Sequence, residues 1–311
     1  MKKCLMLTCL VAAMGMSGCA DMGNREYTAE WSPDAKTEAV DVATGFRLRY
    51  LRVGQGQPVV LLHTLRTQLD YFEKLVPALQ DRYQVYAVDL PGHGQSTILR
   101  TEYTEKLFRE SIVDFIRRLE LRDVILVGES IGGVLALTVS AEIPERISRV
   151  VSLNPYDYGE QFGGGIRRSR GGWVISFFGV FASNTVEPKF LLDLVFEGAF
   201  HDPAKLPAKL ADEFYRTGKR DGYRWMEYSL FKNWRTWLEA REVYPRVMVP
   251  VTLVYSQDDW SAPADRIANE KTIRNAKFVE LKNAGHFSVL EKPEEVASLI
   301  LSQGSSSEGR K

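Results

Sequence analysis

Three residue types in this chain stand where covalent acyl transfer would need them: a serine between glycines, a histidine in a glycine-bearing loop, and an aspartate after an apolar run. Ser130 lies in Gly128-Glu129-Ser130-Ile131-Gly132, directly after the apolar run Val124 to Val127 and before Ile131 to Ala141, where small and apolar residues fall at helical spacing. The run is too short and too β-branched for a helix, so it predicts a buried strand, and Ser130 falls at a strand-to-helix reversal of the G-x-S-x-G kind. A reversal this tight forces strained backbone on the serine, while Gly128 and Gly132 let neighbouring backbones approach. The strain aims the hydroxyl out of the sheet, and the Ile131 N–H, at the start of the following helix, points to where an oxyanion would develop. A serine in an ordinary glycine-rich turn would show the same pentapeptide, so its context decides.

A serine hydroxyl is a poor nucleophile near neutral pH; it needs a histidine base and a carboxylate that fixes the histidine tautomer. Four histidines are available. His286, in Asn283-Ala284-Gly285-His286-Phe287, follows the final apolar run, which predicts a place at the same sheet edge as Ser130. His63 also ends a strand on that edge and reads as structural or oxyanion-shaping, with His93 in a turn and His201 as weaker candidates. The carboxylate is expected from Tyr255-Ser256-Gln257-Asp258-Asp259-Trp260-Ser261-Ala262-Pro263, where two adjacent aspartates compete.

Such side chains converge only if several strands end on one edge. Ala39 to Val42 and Phe46 to Val53 alternate apolar and polar residues around Thr44-Gly45 and predict an antiparallel hairpin. Val59 to Leu62, Tyr83 to Leu90, Val124 to Val127, Ser148 to Leu153, Val251 to Tyr255 and Lys277 to Leu281 read as strands, the more continuous apolar runs suiting strands covered on both faces. Between them, Leu69 to Leu79 and Thr104 to Leu121 have helical spacing, the second with a stripe of Phe108, Ile112, Phe115, Ile116 and Leu119 that leaves Arg109, Glu110 and Arg117 in water. The alternation implies an α/β fold with a doubly wound, mostly parallel sheet. Residues 155 to 244 break it: rich in aromatics and without strand signals, they predict an inserted helical cap between core segments 39–154 and 245–301. The stripe Trp225, Tyr228, Trp234 and Trp237, like the apolar run Trp173 to Phe181, belongs mainly to the cap's own core, with some aromatics turned to the cleft.

At 311 residues and 45% hydrophobic content the chain can bury a full core, and its formal net charge of zero, without a basic stripe, offers no argument for nucleic-acid binding. Residues 1–18 have the layout of a secretory leader: positive charge, an apolar run from Leu5 to Met16, then small residues. Met16-Ser17-Gly18-Cys19 resembles the lipobox of bacterial lipoproteins, which implies lipid on Cys19 and anchoring at the cell envelope; cleavage after Ala20 is the alternative. All three cysteines lie in or at the end of this leader, leaving the mature chain no disulfide and no thiolate metal site. Residues 19–38 read as a tether and 302–311 as a disordered tail. Arg167, Arg168 and Arg170, between glycines, suit a solvated loop, an anionic substrate or a membrane surface.

Taken together, the order Ser130, Asp259, His286 resembles the α/β-hydrolases with a serine nucleophile, over about residues 39 to 301. The resemblance selects Asp259 over Asp258, because the family commonly places its aspartate four residues before a proline, here Pro263. It is supported by Glu291-Lys292-Pro293 after His286, and by the Asp89-Leu90-Pro91-Gly92-His93-Gly94 loop, whose residues it makes architectural. It implies oxyanion donors at Leu65 and Ile131. Where the family often has His-Gly this chain has His63-Thr64, and a β-branched residue does not readily take positive φ. The implied activity is hydrolysis of a small carboxylic ester through an acyl-enzyme, with no metal or organic cofactor. Carbon-carbon hydrolysis, amide or peptide hydrolysis and acyl transfer share the triad, and a binding protein without turnover would share the pocket.

Overall fold

The computed structural model describes residues 31–161, 188–274 and 276–302. Strands β1 (Lys36–Asp41), β2 (Arg47–Val53), β3 (Gln57–Leu62), β4 (Tyr83–Val88), β5 (Val124–Glu129), β6 (Ile147–Leu153), β7 (Val251–Ser256) and β8 (Ala276–Leu281) form one sheet in the order β1-β2-β4-β3-β5-β6-β7-β8. β2 runs antiparallel to both β1 and β4, and every other pairing is parallel. β5 and β7 are buried along their whole length, which is why they read as unbroken apolar runs. Register aligns Leu62 with Gly128, Glu129 with Leu153, and Leu153 with Val254, so the chain leaves β3, β5, β6 and β7 along one edge.

Ten α-helices accompany the sheet among the described residues: α1 (Val76–Leu79), α2 (Glu105–Arg118), α3 (Ile131–Glu142), α4 (Lys189–Glu197), α5 (Ala208–Thr217), α6 (Tyr223–Lys232), α7 (Arg235–Glu239), α8 (Pro263–Thr272), α9 (Ser288–Glu291) and α10 (Pro293–Leu301). The α/β class and doubly wound layout expected from the sequence are those observed. α3 is buried from Ile131 to Ser140, as its small apolar sequence demands, and packs on β5 and β6. The Thr104 side chain caps α2, accepting from the Leu107 N–H at 3.3 Å. Arg109 is not left in water as the stripe suggested: it pairs with Glu105 at 3.3 Å and with Glu142 of α3 at 2.9 Å.

Three other expectations are refined. Leu69 to Leu79 is not one helix but a 3₁₀ turn at Leu69–Phe72 followed by α1, because the ring of Pro77 would strike the Glu73 carbonyl in a continuous helix. β1 begins at Lys36, inside the segment read as tether. Its residues are mostly exposed, and Glu38 bonds Tyr50 and Arg52 of β2, so polar pairing replaces the apolar signal. Trp31 also docks, its indole N–H donating to Asp70 at 2.7 Å. The aromatic stripe spans two helices, α6 and α7; Trp237 packs on Phe108 of α2 and Trp225 on Tyr228. Between β6 and β7 the described residues hold α4 to α7 and no strand; Arg167, Arg168, Arg170 and the run Trp173 to Phe181 lie outside the described residues, as do the leader with Cys19 and residues 303–311.

Candidate active site

Ser130 follows β5 with φ 60° and ψ −118°, the left-handed strain its position implied, and is almost wholly buried. Its N–H donates to the Leu153 carbonyl at 2.9 Å, and its own carbonyl accepts from Val134 and Tyr156, both at 3.1 Å, so neighbouring elements hold the unfavourable conformation. The flanking glycines are required by contact. A Cβ on Gly128 would lie 2.0 Å from the Gly132 carbonyl, and one on Gly132 would lie 2.0 Å from the Leu62 carbonyl. The first turn of α3 is thereby pressed against the end of β3, and Ile131, its first residue, keeps an N–H that no intrahelical carbonyl can accept.

His286 stands in the loop after β8 with its Nδ1 2.5 Å from Asp259 Oδ1. Burial opposes ionisation of Asp259, but the adjacent imidazole, the hydrogen bonds from His286 and Ser261, and Arg266 together hold its carboxyl below the usual range. The Trp260 indole stacks on the imidazole, centroids 4.1 Å apart and planes 15° apart, and donates its N–H to the Gly198 carbonyl at 3.3 Å. Asp258 turns elsewhere, to His201 Nδ1 at 2.6 Å near the surface. Glu291 accepts from the N–H groups of Gly285, His201 and Asp202 at 2.8 to 2.9 Å, sewing the His286 loop to the chain after α4. Gly285 is glycine because a Cβ there would meet the Ala199 carbonyl at 2.3 Å.

At the end of β3, His63 accepts the Leu90 N–H on Nε2 at 3.0 Å, so its Nδ1 carries the proton and donates to the Thr64 carbonyl at 2.7 Å. Burial pushes its pKa down to about 4, and it stays a neutral structural group. Thr64 avoids the conformation that a β-branched residue resists; the positive φ, 67°, falls on Arg66 instead. Leu65 lies between them, half-buried.

Two further residues, Asn154 and Glu129, brace this edge. Asn154, at φ 44°, donates to the His286 carbonyl at 3.0 Å, to Ser256 Oγ at 3.1 Å and to Glu129 Oε1 at 3.1 Å, joining the ends of β5, β6 and β7 to the histidine loop. Fully buried Glu129, beside the serine, accepts from the Ser288 N–H at 2.9 Å and from the hydroxyls of Ser288 and Tyr71. Burial raises its pKa against the pull of those donors. Asparagine's tolerance of positive φ after a strand was the one available hint. A cavity of about 480 Å³, lined by residues including Asp258, Asp259, Trp260, His201 and Arg266, borders the acid, with Ser130 and His286 outside its lining. Among the described residues no three His, Cys, Asp or Glu side chains converge as metal ligands do.

This strained serine, glycine-packed elbow and Asp-His pair at one sheet edge accord with a wider likeness: the alpha/beta hydrolase fold family matches residues 57–293, and the chain belongs to that family. Among individual proteins, it is 25% identical over 262 residues to the uncharacterized hydrolase YugF of Bacillus subtilis, covering 78% of this chain and 88% of that one. It is 24% identical over 308 residues to the 2-hydroxy-6-oxo-6-(2'-aminophenyl)hexa-2,4-dienoic acid hydrolase of Metapseudomonas resinovorans, covering 90% and 95%. The solved enol-lactonase of Burkholderia xenovorans superposes with a TM-score of 0.71 at 22% identity, over 85% of this chain and 98% of that one, a likeness of fold.

Proposed function

We propose that this chain is a serine hydrolase of a small, largely apolar carboxylic ester, with Ser130 as nucleophile, His286 as base, Asp259 as acid and the N–H groups of Leu65 and Ile131 as oxyanion donors. The observation that carries the reading is the buried Asp259–His286 hydrogen bond on the edge where Ser130 is held at φ 60°. With Nδ1 engaged by Asp259, Nε2 is the nitrogen left for the Ser130 proton. As Oγ adds to the ester carbonyl carbon, Nε2 takes that proton, and the carbonyl oxygen becomes an oxyanion held by the two N–H groups, each contributing about 3 kcal/mol. Collapse expels the alcohol, which leaves with the proton from His286, and an acyl-serine remains. Water then adds to the acyl carbon, passing a proton to His286; the second collapse releases the carboxylic acid and returns the proton to Oγ. Asp259 stays ionised throughout, fixing the tautomer and stabilising the imidazolium.

The dienoic acid hydrolase relative supports a second reading on the same triad, carbon-carbon hydrolysis of a carboxylate-bearing ketone. A fluorophosphonate probe tests both against a binding protein without turnover: it should label the wild type once, and Ser130→Ala should abolish labelling with the fold intact. Labelling at another residue with Ser130 silent overturns the mechanism.

A further inference from the structure

We propose that Arg66 and Glu227 are positioning residues that make the oxyanion donor Leu65 depend on the seating of α5 and α6 over the sheet edge. The inference rests on the reading of Leu65 as a donor. The two donors are held differently: Ile131 is fixed by α3, whereas Leu65 sits in a loop whose next residue, Arg66, is a non-glycine at φ 67°. What keeps that residue in an unfavourable conformation comes from the helices between β6 and β7. Arg66 Nε lies 3.0 Å from Glu227 Oε1 of α6, and its NH1 donates to the Phe214 carbonyl of α5 at 3.3 Å. Its guanidinium also covers the Tyr223 ring at 4.8 Å. Gly218, just after α5, would bring a Cβ within 2.2 Å of Arg66 NH1, so the guanidinium packs directly on the chain there.

Both partners are buried, Arg66 at 6% exposure and Glu227 at 4%; Glu227 also holds Arg224 at 2.9 Å, and pulling Arg66 out of this buried charge cluster is costly. The helices therefore seat with Arg66 in this conformation or leave it to water. A second tie lies two residues on, where Gln68 accepts from Thr217 Oγ1 at 2.6 Å and donates to Glu213 at 3.1 Å. On the sheet side the loop is held at its two ends, where the Thr64 carbonyl accepts from His63 and Thr67 and the Leu69 N–H donates to Asp89 at 2.8 Å, with Leu65 and Arg66 between them. When α6 lifts, Arg66 relaxes out of positive φ and the adjacent peptide planes turn. An oxyanion donor works only within a few tenths of an ångström, so the hole is complete only while the helices are seated.

The test uses the full chain and a neutral ester, with a trifluoromethyl ketone as a probe that forms a tetrahedral adduct on the serine. Glu227→Gln and Arg66→Lys should lower kcat and the ketone's affinity in parallel, about ten- to hundredfold, with KM little changed. Thr217→Val, which removes the hydroxyl's bonds to Gln68 and Glu213 but leaves the Arg66–Glu227 pair in place, should give the same parallel loss at smaller amplitude and keeps the test open if the ion-pair variants do not fold. Lys232→Ala, which breaks an exposed contact with Glu102, should leave all three quantities unchanged. A purely structural role would lower the melting temperature without separating kcat from KM. Unchanged kcat and ketone affinity in Glu227→Gln and Thr217→Val overturn this inference alone, whereas absence of Ser130 labelling in the wild type overturns the function beneath it.

Discussion

Asp258 and Asp259 are neighbours in the chain yet serve different histidines: Asp259 holds buried His286 at 2.5 Å, and Asp258 holds half-exposed His201 at 2.6 Å. Geometry therefore separates what composition could not. Asp259→Asn should reduce kcat by roughly 10⁴-fold, as loss of the triad acid does in serine proteases. Asp258→Asn removes only an exposed pair, worth about 0 to 1 kcal/mol of stability, and should leave kcat nearly intact. Steady-state kinetics of the two variants decide the matter, and the reverse ranking would move the acid to Asp258.

Buried acids in this structure also predict stability slopes of opposite sign. Asp157, bonded by Tyr244 at 2.6 Å and by Asn269 at 2.8 and 3.0 Å, is pushed up to about 6 by burial, which outweighs the pull of Arg241 and these donors. Raised folded pKa means that the folded state binds the proton more tightly. Its contribution is thus full below the unfolded value of about 3.9 and is lost as pH rises through about 6, on the order of 3 kcal/mol in all. Asp259 has the lowered folded pKa, so its contribution is present above the unfolded value and is lost as pH falls. Urea unfolding between pH 3 and 7, wild type against Asp157→Asn and against Asp259→Asn, should give differences of opposite slope. A flat Asp157 difference across pH 4 to 6 would refute the raised value.

The contrast between these acids shows what the sequence can and cannot carry. Strands β3, β5, β6 and β7 were legible because burial on both faces writes itself as apolar runs, and Ser130 because a tight reversal needs glycines at fixed offsets. β1 began three residues early because its pairing is made by Glu38, Tyr50 and Arg52, not by an apolar face. Glu129, Asn154 and Trp260 were invisible for a related reason: each works through partners 25 or more residues away, on elements whose juxtaposition only the folded sheet creates. The stripe from Trp225 to Trp237 misled in detail, since it breaks near Asn233 and Trp237 packs on Phe108 of α2.

Export and lipid attachment at Cys19 are proposals resting on the leader pattern. No described helix is long and apolar enough to cross a membrane; on the proposed reading of Cys19, the acyl chains are the anchor. At about 0.8 kcal/mol per buried methylene one chain binds reversibly and several bind firmly. Cys19→Ala should therefore move the protein from the membrane to the soluble fraction, with specific activity unchanged. Recovery of wild-type protein as a soluble species beginning at Asp21 would show cleavage after Ala20 instead.

Choice of substrate separates the two proposed reactions. Beside His286, Phe287 packs at 5.7 Å against Phe196 and at 5.8 Å against Phe200, and Phe200 with Trp260 lines the cavity next to Asp259, so apolar side chains back the proposed base. Trp260 also stacks on the imidazole. A substrate lying against such a wall gains about 0.8 kcal/mol for each methylene it buries, about fourfold in kcat/KM, until the space is filled. For neutral esters of increasing acyl length, kcat/KM should therefore climb and then drop. Carboxylate-bearing substrates would pay a desolvation cost at this wall unless a cation met them. Arg167, Arg168 and Arg170 are the cations the sequence offers for that role. The same series run against carboxylate-bearing analogues, in the wild type and in the Arg167→Ala, Arg168→Ala, Arg170→Ala triple variant, sets the two against each other. Preference for neutral esters in both proteins supports the ester reading. If the wild type prefers the charged analogues and the triple variant does not, the apolar-ester assignment is wrong, and hydrolysis of a carboxylate-bearing ketone on the same serine takes its place.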